Sequence, residues 1–185
     1  MALTHSSPQP LGSRLPAHRL ARPEGGHVEL TSLVGDRGLL LAVTCNHCPY
    51  AQAVWPRLVR LAREVRPLGI ATVAVNPNLH PDYPDDSLEG MVGAVSRWGI
   101  DFPYLADGDQ SLARALGAVC TPEFFLYDSR KTLVYHGRMD DSWQDEGRVT
   151  RLDLRDALLA LVEGRPVSPD QHPSMGCSIK WLARD

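Results

Sequence analysis

The sequence predicts an α/β fold in which a central mixed β-sheet is flanked by helices. Two short, uninterrupted apolar runs stand on either side of a segment with helical periodicity, which is typical of buried strands joined by a helix. Two strand-like segments then follow with a short turn between them, which indicates a hairpin. A last amphipathic segment supplies a closing helix, so strands and helices share one layered core.

At the start of the chain, apolar residues do not recur at regular intervals. Residues 1–26 contain four prolines, and we expect them to form an extended lead-in. A strand is predicted at 27–33, and the run L-L-L-A-V-T at 39–44 predicts a strand that is buried on both faces. Apolar residues then recur every three or four positions from 51 to 65, which predicts a helix that ends near Gly69.

In the second half of the chain, predicted strands and helices continue to alternate. A second buried strand is predicted at 70–75, and a helix at 88–98 follows a long, proline-rich loop. A shorter helix is predicted at 112–116, and a hairpin at 124–127 and 132–136.

The closing helix has its own start signal. Thr150 with Asp153 three residues later resembles a capping box. After this helix, residues 165–185 form a tail that we expect to pack back on the protein, because it contains the apolar stretch S-M-G-C-S-I-K-W. We therefore predict one domain over 1–185.

The composition limits the kinds of partner and the cellular location that we expect. The 185 residues carry a formal net charge of −3, with 43% hydrophobic and 22% charged residues. Nucleic acid is not an expected partner, because phosphate binding needs clustered Lys and Arg. No apolar run approaches the roughly 20 residues that span a bilayer, so no membrane partner is expected. The N-terminus lacks signal-peptide features, and we expect a cytoplasmic protein whose cysteines are catalytic or metal-binding rather than structural disulfides.

The motif T-C-N-H-C-P-Y at 44–50 carries the predicted chemistry. Cys45 follows a strand and opens a helix, where unpaired N–H groups and the helix dipole favour a thiolate. Cys48 stands one helical turn further on, so it can attack a mixed disulfide formed by Cys45. We predict that Cys45 is the exposed nucleophile and Cys48 the buried resolving thiol. Protonated His47 would stabilise the Cys45 thiolate and make the couple more oxidising. The alternative is that His47 is a solvated residue of the first turn.

A distant proline completes a family resemblance. Cys120-Thr121-Pro122 stands directly before the predicted strand F-F-L-Y, and with C-N-H-C this pattern resembles the thioredoxin superfamily. The resemblance implies a thioredoxin-like fold, a cis Pro122 beside the C-x-x-C, and a substrate-binding role for Thr121 and Pro122. A trans proline in an edge strand is the alternative.

Other motifs point to one branch of the superfamily. P-A-H-R-L, H-V-E-L-T-S-L-V-G, Y-P-D-D-S, A-V-C-T-P-E-F-F-L and G-C-S-I-K-W resemble redoxin domains of the peroxiredoxin-like (AhpC/TSA-type) group that carries a C-x-x-C, with a redoxin-type N-terminal extension. Peroxiredoxins have Thr or Ser three residues before the peroxide-reacting cysteine, and here that position is Ala42. Thr44 also replaces the tryptophan of the W-C-x-x-C pattern.

Cys120 and Cys177 are possible redox partners. They are either packed core thiols, a regulatory disulfide with each other, or, for Cys177, a relay thiol for Cys45 and Cys48. Zinc bound by Cys45 and Cys48 with Cys120, Cys177 or His80 is a further alternative, but a second tight ligand pair is missing and we expect no metal.

The prediction is a thiol–disulfide oxidoreductase that needs no bound cofactor. Its partners would be a protein or small-molecule disulfide substrate and a thiol electron donor, and its oligomeric state is left open. Reduction of hydroperoxides at Cys45 and a non-catalytic redox sensor or binding module are the alternatives.

Overall fold

The computed structural model describes residues 3–183, which form an α/β structure with ten strands and four α-helices in that range. The strands are β1 Leu3–His5, β2 Arg19–Ala21, β3 His27–Glu29, β4 Gly38–Val43, β5 Ile70–Asn76, β6 Tyr104–Ala106, β7 Cys120–Thr121, β8 Glu123–Asp128, β9 Leu133–Gly137 and β10 Met175–Ser178. The helices are α1 Pro49–Val65, α2 Leu88–Trp98, α3 Ser111–Leu116 and α4 Asp153–Val162.

A mixed seven-stranded sheet forms the centre, in the order β3-β2-β6-β5-β4-β8-β9. Strand β4 runs parallel to β5 and antiparallel to β8, and all six of its residues are buried. Its side chains alternate between two apolar clusters, with Leu40 in one and Leu41 in the other, because successive side chains of a strand point to opposite faces. The predicted fold class, a central mixed sheet flanked by helices, is confirmed.

A smaller antiparallel sheet joins the two ends of the chain to its middle. Strand β10 lies between β1 and β7, and Cys177 stands opposite both Leu3 and Thr121. The tail therefore packs against the segment that leads into β8. This sheet, rather than the large one, brings Cys177 close to the C-x-x-C.

The lead-in contributes more structure than its composition predicts. Arg19–Ala21 pairs with both β3 and β6, and Leu20 is 3% exposed. The strand predicted at 27–33 ends at Glu29, and Leu30–Leu33 form a 3₁₀ turn that buries Leu30 completely. The prolines predict an extended lead-in without strands, but pairing with β6 of the sheet stabilises short strands that the local sequence does not indicate.

The predicted capping box at the closing helix is wrong. Thr150 donates its backbone N–H to Asp141 Oδ1 at 2.9 Å and does not cap α4. The helix begins at Asp153, after Leu152, which makes no side-chain cap. Asp153 instead accepts a hydrogen bond from Arg138 at 2.7 Å. A tertiary ion pair therefore replaces the local capping hydrogen bonds that the sequence predicts.

None of the helices within residues 3–183 has the length and apolarity that crossing a membrane would require.

Candidate active site

The two cysteines of the C-x-x-C lie between the end of β4 and the start of α1. Cys45 is two residues beyond β4, while Cys48 is the N-cap of α1 and Pro49 its first helical residue. Pro49 fits there because the first helical N–H has no partner within the helix. Both cysteines are 0% exposed. The prediction that Cys45 is exposed is therefore wrong, because the tail strand packs over the site in a way that the local motif does not reveal.

Thr121 contacts both thiols from the neighbouring segment. Its hydroxyl Oγ1 lies 3.2 Å from Cys45 Sγ, and its carbonyl oxygen lies 3.2 Å from Cys48 Sγ. The following Thr121–Pro122 peptide bond is cis, as the resemblance implied. The structure thus brings Cys45, Cys48, Thr121 and Pro122 together, although about 75 residues of sequence separate the two pairs.

The pKa of Cys48 is lowered to about 5. The largest cause is a hydrogen bond from the Cys45 thiol, and the Cys177 thiol and the backbone N–H groups of Ala51 and Cys177 also donate to this sulfur. Burial acts in the opposite direction. The lowering effects prevail because donors from three parts of the chain converge on this sulfur: the Cys45 thiol, the first turn of α1 and the tail strand.

The pKa of Cys45 is raised well above its ordinary value. Burial is the largest cause, followed by its hydrogen bond to Cys48 and the negative charge of Asp86. The surroundings of Cys45 therefore favour its thiol form, and the donors around Cys48 favour its thiolate form. The sequence predicts a stabilised thiolate on Cys45, whereas these pKa shifts favour one on Cys48, the N-cap residue of α1.

His47 lies against Cys45 but is engaged by a carboxylate. Its Nδ1 is hydrogen-bonded to Asp86 Oδ2, and its ring stacks on Tyr83 with 4.3 Å between centroids. The side chain is 9% exposed, so the alternative of a solvated first-turn residue is wrong. Its other nitrogen, Nε2, is buried without a hydrogen-bond partner among the residues that the structure describes. A protonated His47 would share its charge with Asp86, which weakens its effect on Cys45.

Asp86 is the functional residue that the sequence did not single out. Its Oδ1 accepts the backbone N–H of Asn46 at 2.6 Å and the side-chain amide of Asn76 at 2.9 Å. The motif P-D-D-S suggests a helix cap, and Ser87 performs that role by accepting the Gly90 N–H at 3.1 Å. Asp86 is 0% exposed and ties the proline-rich loop to the C-x-x-C. An acidic residue beside a capping serine could not be assigned to this site from sequence.

Three side chains at the site form a set that could hold a metal ion. Cys45, His47 and Asp86 each offer one ligand atom, and these atoms lie within 4.8 Å of one another. A thiolate, an imidazole and a carboxylate resemble a three-ligand zinc set. The set differs from the zinc alternative built on His80, whose Nδ1 instead accepts the Asp82 N–H at 3.2 Å.

The other two cysteines have different surroundings. Cys177 belongs to the buried cluster of Cys45 and Cys48, whereas the Cys120 thiol lies 3.5 Å from Glu123 Oε2. Burial, followed by the Glu123 charge, raises the pKa of Cys120. In the ladder Cys177 stands opposite Thr121, so Cys120 and Cys177 point to opposite faces. The two cysteines are therefore not directly opposed, as a regulatory Cys120–Cys177 disulfide across the two strands would need.

We compared the sequence with known protein families. Residues 11–136 match the AhpC/TSA family. The chain belongs to the AhpC/TSA family. A search of curated protein sequences found no match.

Similarity to solved structures extends along the whole chain. An uncharacterized conserved protein from Geobacillus kaustophilus is 41% identical, with a TM-score of 0.95 over 100% of this chain and 99% of that one. The similarity therefore includes the first part of the lead-in and the tail, which lie outside the matched family segment.

Two more distant structures share the thioredoxin-like fold. A secreted disulfide oxidoreductase of Mycobacterium tuberculosis, homologous to E. coli DsbE, is 19% identical with a TM-score of 0.54, covering 63% of this chain and 80% of that one. Peroxidoxin BcpB of the same organism is 16% identical with a TM-score of 0.62, covering 83% and 96%. These neighbours are a disulfide oxidoreductase and a peroxidoxin, which makes the fold common to both chemistries.

Proposed function

We propose that this protein is a thiol–disulfide oxidoreductase that uses Cys45 and Cys48 as a dithiol/disulfide couple. One observation carries the proposal: the Cys48 sulfur at the N-terminus of α1 accepts a hydrogen bond from Cys45 and two backbone N–H groups. A dithiol that shares one proton in this way holds a nucleophile and its resolving thiol in contact.

The lowered pKa of Cys48 and the raised pKa of Cys45 support the following order of events. The Cys48 thiolate attacks one sulfur of a substrate disulfide, forms a mixed disulfide, and the first substrate thiolate leaves and takes up a proton. Cys45 then loses its proton and attacks Cys48 Sγ, which releases the second substrate thiolate. The substrate gains two electrons, the protein becomes a Cys45–Cys48 disulfide, and an external thiol donor reduces it again.

His47, Thr121 and Pro122 have supporting roles in this proposal. His47 lies beside Cys45 and has a free ring nitrogen among the described atoms, which suits it to carry the proton that Cys45 loses. Thr121 contacts both thiols, and Thr121 together with the adjacent cis Pro122 would contact the substrate. Because both thiols are fully buried, a protein or small-molecule disulfide reaches them when the covering segments move.

The couple is expected to be oxidising. Hydrogen bonds that stabilise the Cys48 thiolate favour the reduced dithiol over the disulfide. The test equilibrates the full chain in glutathione redox buffers, alkylates the free thiols, and counts them by intact mass. We expect two thiols to disappear together and reversibly, with Cys120→Ser unchanged in this behaviour. A chain whose four thiols all stay reduced across the range would contradict the proposal.

Hydroperoxide reduction is a second candidate, and one contact favours it. Thr121 Oγ1 lies 3.2 Å from Cys45 Sγ, so a hydroxyl stands beside this sulfur although Ala42 replaces the Thr or Ser of peroxiredoxins. A hydroperoxide would oxidise Cys45 to a sulfenic acid and leave as the corresponding alcohol, or as water from hydrogen peroxide, and Cys48 would then form the disulfide and release one water. Direct measurement of peroxide loss, with Cys45→Ser as the control, distinguishes the two functions.

A further inference from the structure

Strand β10 places a third thiol at the site. It runs antiparallel to β7, with Cys177 opposite Thr121 and Ser178 opposite Cys120. Side chains of directly opposed residues lie on the same face of an antiparallel pair. Since Thr121 faces the C-x-x-C, Cys177 faces it as well, and it forms one buried cluster with Cys45, Cys48 and Ala51.

Cys177 contacts Cys48 in two ways. The two thiols share a hydrogen bond, and the backbone N–H of Cys177 also donates to Cys48 Sγ. Burial, followed by this bond to Cys48, raises the pKa of Cys177 to about 12.

Strand β10 lies close enough to β7 to keep Cys177 in contact with Cys48. A Cβ on Gly176 would lie 2.0 Å from the Thr121 carbonyl oxygen, so only glycine permits this approach of the two backbones. Beyond the strand, Ile179 donates its N–H to Val119 at 3.0 Å, and Lys180 to Asn78 Oδ1 at 2.8 Å. Cys177 therefore reaches Cys48 without rearrangement of the fold.

Gln110 fixes the end of the tail. Its side chain donates to the Lys180 carbonyl at 2.7 Å and accepts the Leu182 N–H at 2.8 Å. Gln110 is fully buried and has a φ of 60°, a conformation that few residues other than glycine adopt. The tail is thus anchored on both sides of Cys177, by Gly176 before it and by Gln110 after it.

We propose that Cys177 is a third redox-active thiol, which exchanges with the Cys45–Cys48 disulfide and moves it to Cys48–Cys177. Cys177 attacks Cys48 Sγ, the Cys45–Cys48 bond breaks as the Cys48–Cys177 bond forms, and Cys45 takes up the proton that Cys177 releases. No electrons are gained or lost in this exchange, and a thiol donor then reduces the new disulfide. The inference rests on the proposed function, and the covalent link would fasten β10 to the start of α1.

The test uses the full-length Cys45→Ser chain in the same glutathione buffers. Glutathione disulfide first forms an adduct on Cys48, and Cys177 should then displace the glutathione. We expect a chain two hydrogens lighter, without adduct, in which tryptic peptides 38–57 and 156–180 are joined. The Cys45→Ser, Cys177→Ser chain should retain the glutathione adduct, and the Cys45→Ser, Cys120→Ser chain should behave like Cys45→Ser.

A Cys45→Ser chain that keeps as much adduct as the Cys177 double variant would overturn the inference. The unmodified chain provides a second measurement that needs no folded variant. Its Cys45–Cys48 disulfide lies within peptide 38–57, whereas Cys48–Cys177 joins two peptides. A Cys45–Cys48 disulfide without any joined peptide removes the Cys177 role and leaves the proposed function standing, whereas no disulfide at all removes the proposed function as well.

Discussion

At the scale of the residue, the site is governed by which sulfur receives the hydrogen bonds. Cys48 gains donors from the Cys45 thiol, from the first turn of α1 and from the tail, whereas burial and the Asp86 charge raise the pKa of Cys45. The motif C-N-H-C could predict that a thiolate is stabilised here, because a helix N-terminus follows it. It could not predict which cysteine carries the charge, since Asp86 and Cys177 come from distant parts of the chain.

The lowered pKa of Cys48 predicts a specific dependence of stability on pH in the reduced protein. A folded pKa of about 5, below the ordinary value of 9.0, adds stability that is complete above the unfolded pKa and is lost as pH falls toward 5. From about pH 6 to pH 8, the free energy of unfolding should rise by roughly 2 kcal/mol more than in Cys48→Ser.

Urea unfolding of both chains at the two pH values measures this difference. The raised pKa of Cys45 and that of Cys177, at about 12, act only above this window, and histidine effects are common to both chains. If the free energy of unfolding changed equally between the two pH values in both chains, Cys48 would titrate as an ordinary thiol.

At the scale of the element, short strands decide the access to the site. The long elements, such as α1 and β5, are evident in the sequence because their periodicity and apolar runs are uninterrupted. Strands β1, β7 and β10 have only two to four residues each and exist because they pair with one another. Pairing partners far apart in sequence cannot be predicted from local pattern, so the burial of Cys45 was missed.

Gly176→Ala should open the site. The new Cβ would lie 2.0 Å from the Thr121 carbonyl oxygen and 2.7 Å from its carbon, both backbone atoms, so β10 must separate from β7. We expect alkylation of the reduced Cys48 to become at least about tenfold faster, since ~1.4 kcal/mol of lost local stability raises the open population tenfold.

Gly93→Ala is the matched control, because a Cβ at that position of α2 meets no atom within 4 Å. Its alkylation rate should equal that of the unmodified chain. Unchanged alkylation in Gly176→Ala would show that β10 does not limit access to the thiols.

At the scale of the whole molecule, buried polar links join the layers around the site. Arg57 of α1 donates to Asp140 Oδ2 at 2.6 Å and to the carbonyls of Ser142 and Trp143 at 3.0 and 2.5 Å. Arg57 is 8% exposed and the Asp140 side chain 3%. The link fastens the segment after β9 to the helix that begins at the C-x-x-C, and neither local segment signals it.

Arg57→Met should be strongly destabilising, because it leaves the Asp140 carboxylate buried and unpaired. The expected loss in the free energy of unfolding is about 3–5 kcal/mol. On the same helix, Arg60 pairs with Glu146 at the surface, where both side chains are more than half exposed. Arg60→Met should cost less than about 1 kcal/mol, and equal losses in urea unfolding of the two variants would contradict this.

The sequence by itself determined the layered α/β fold, the C-x-x-C at the start of a helix and the proline that faces it. Each depends on local periodicity, on a short motif or on a family resemblance carried by such motifs. The tertiary structure decided the Asp86–His47 pair and the position of Cys177 beside Cys48. These features depend on contacts between residues some 40 to 130 positions apart, which only the pairing of strands and the packing of loops bring together.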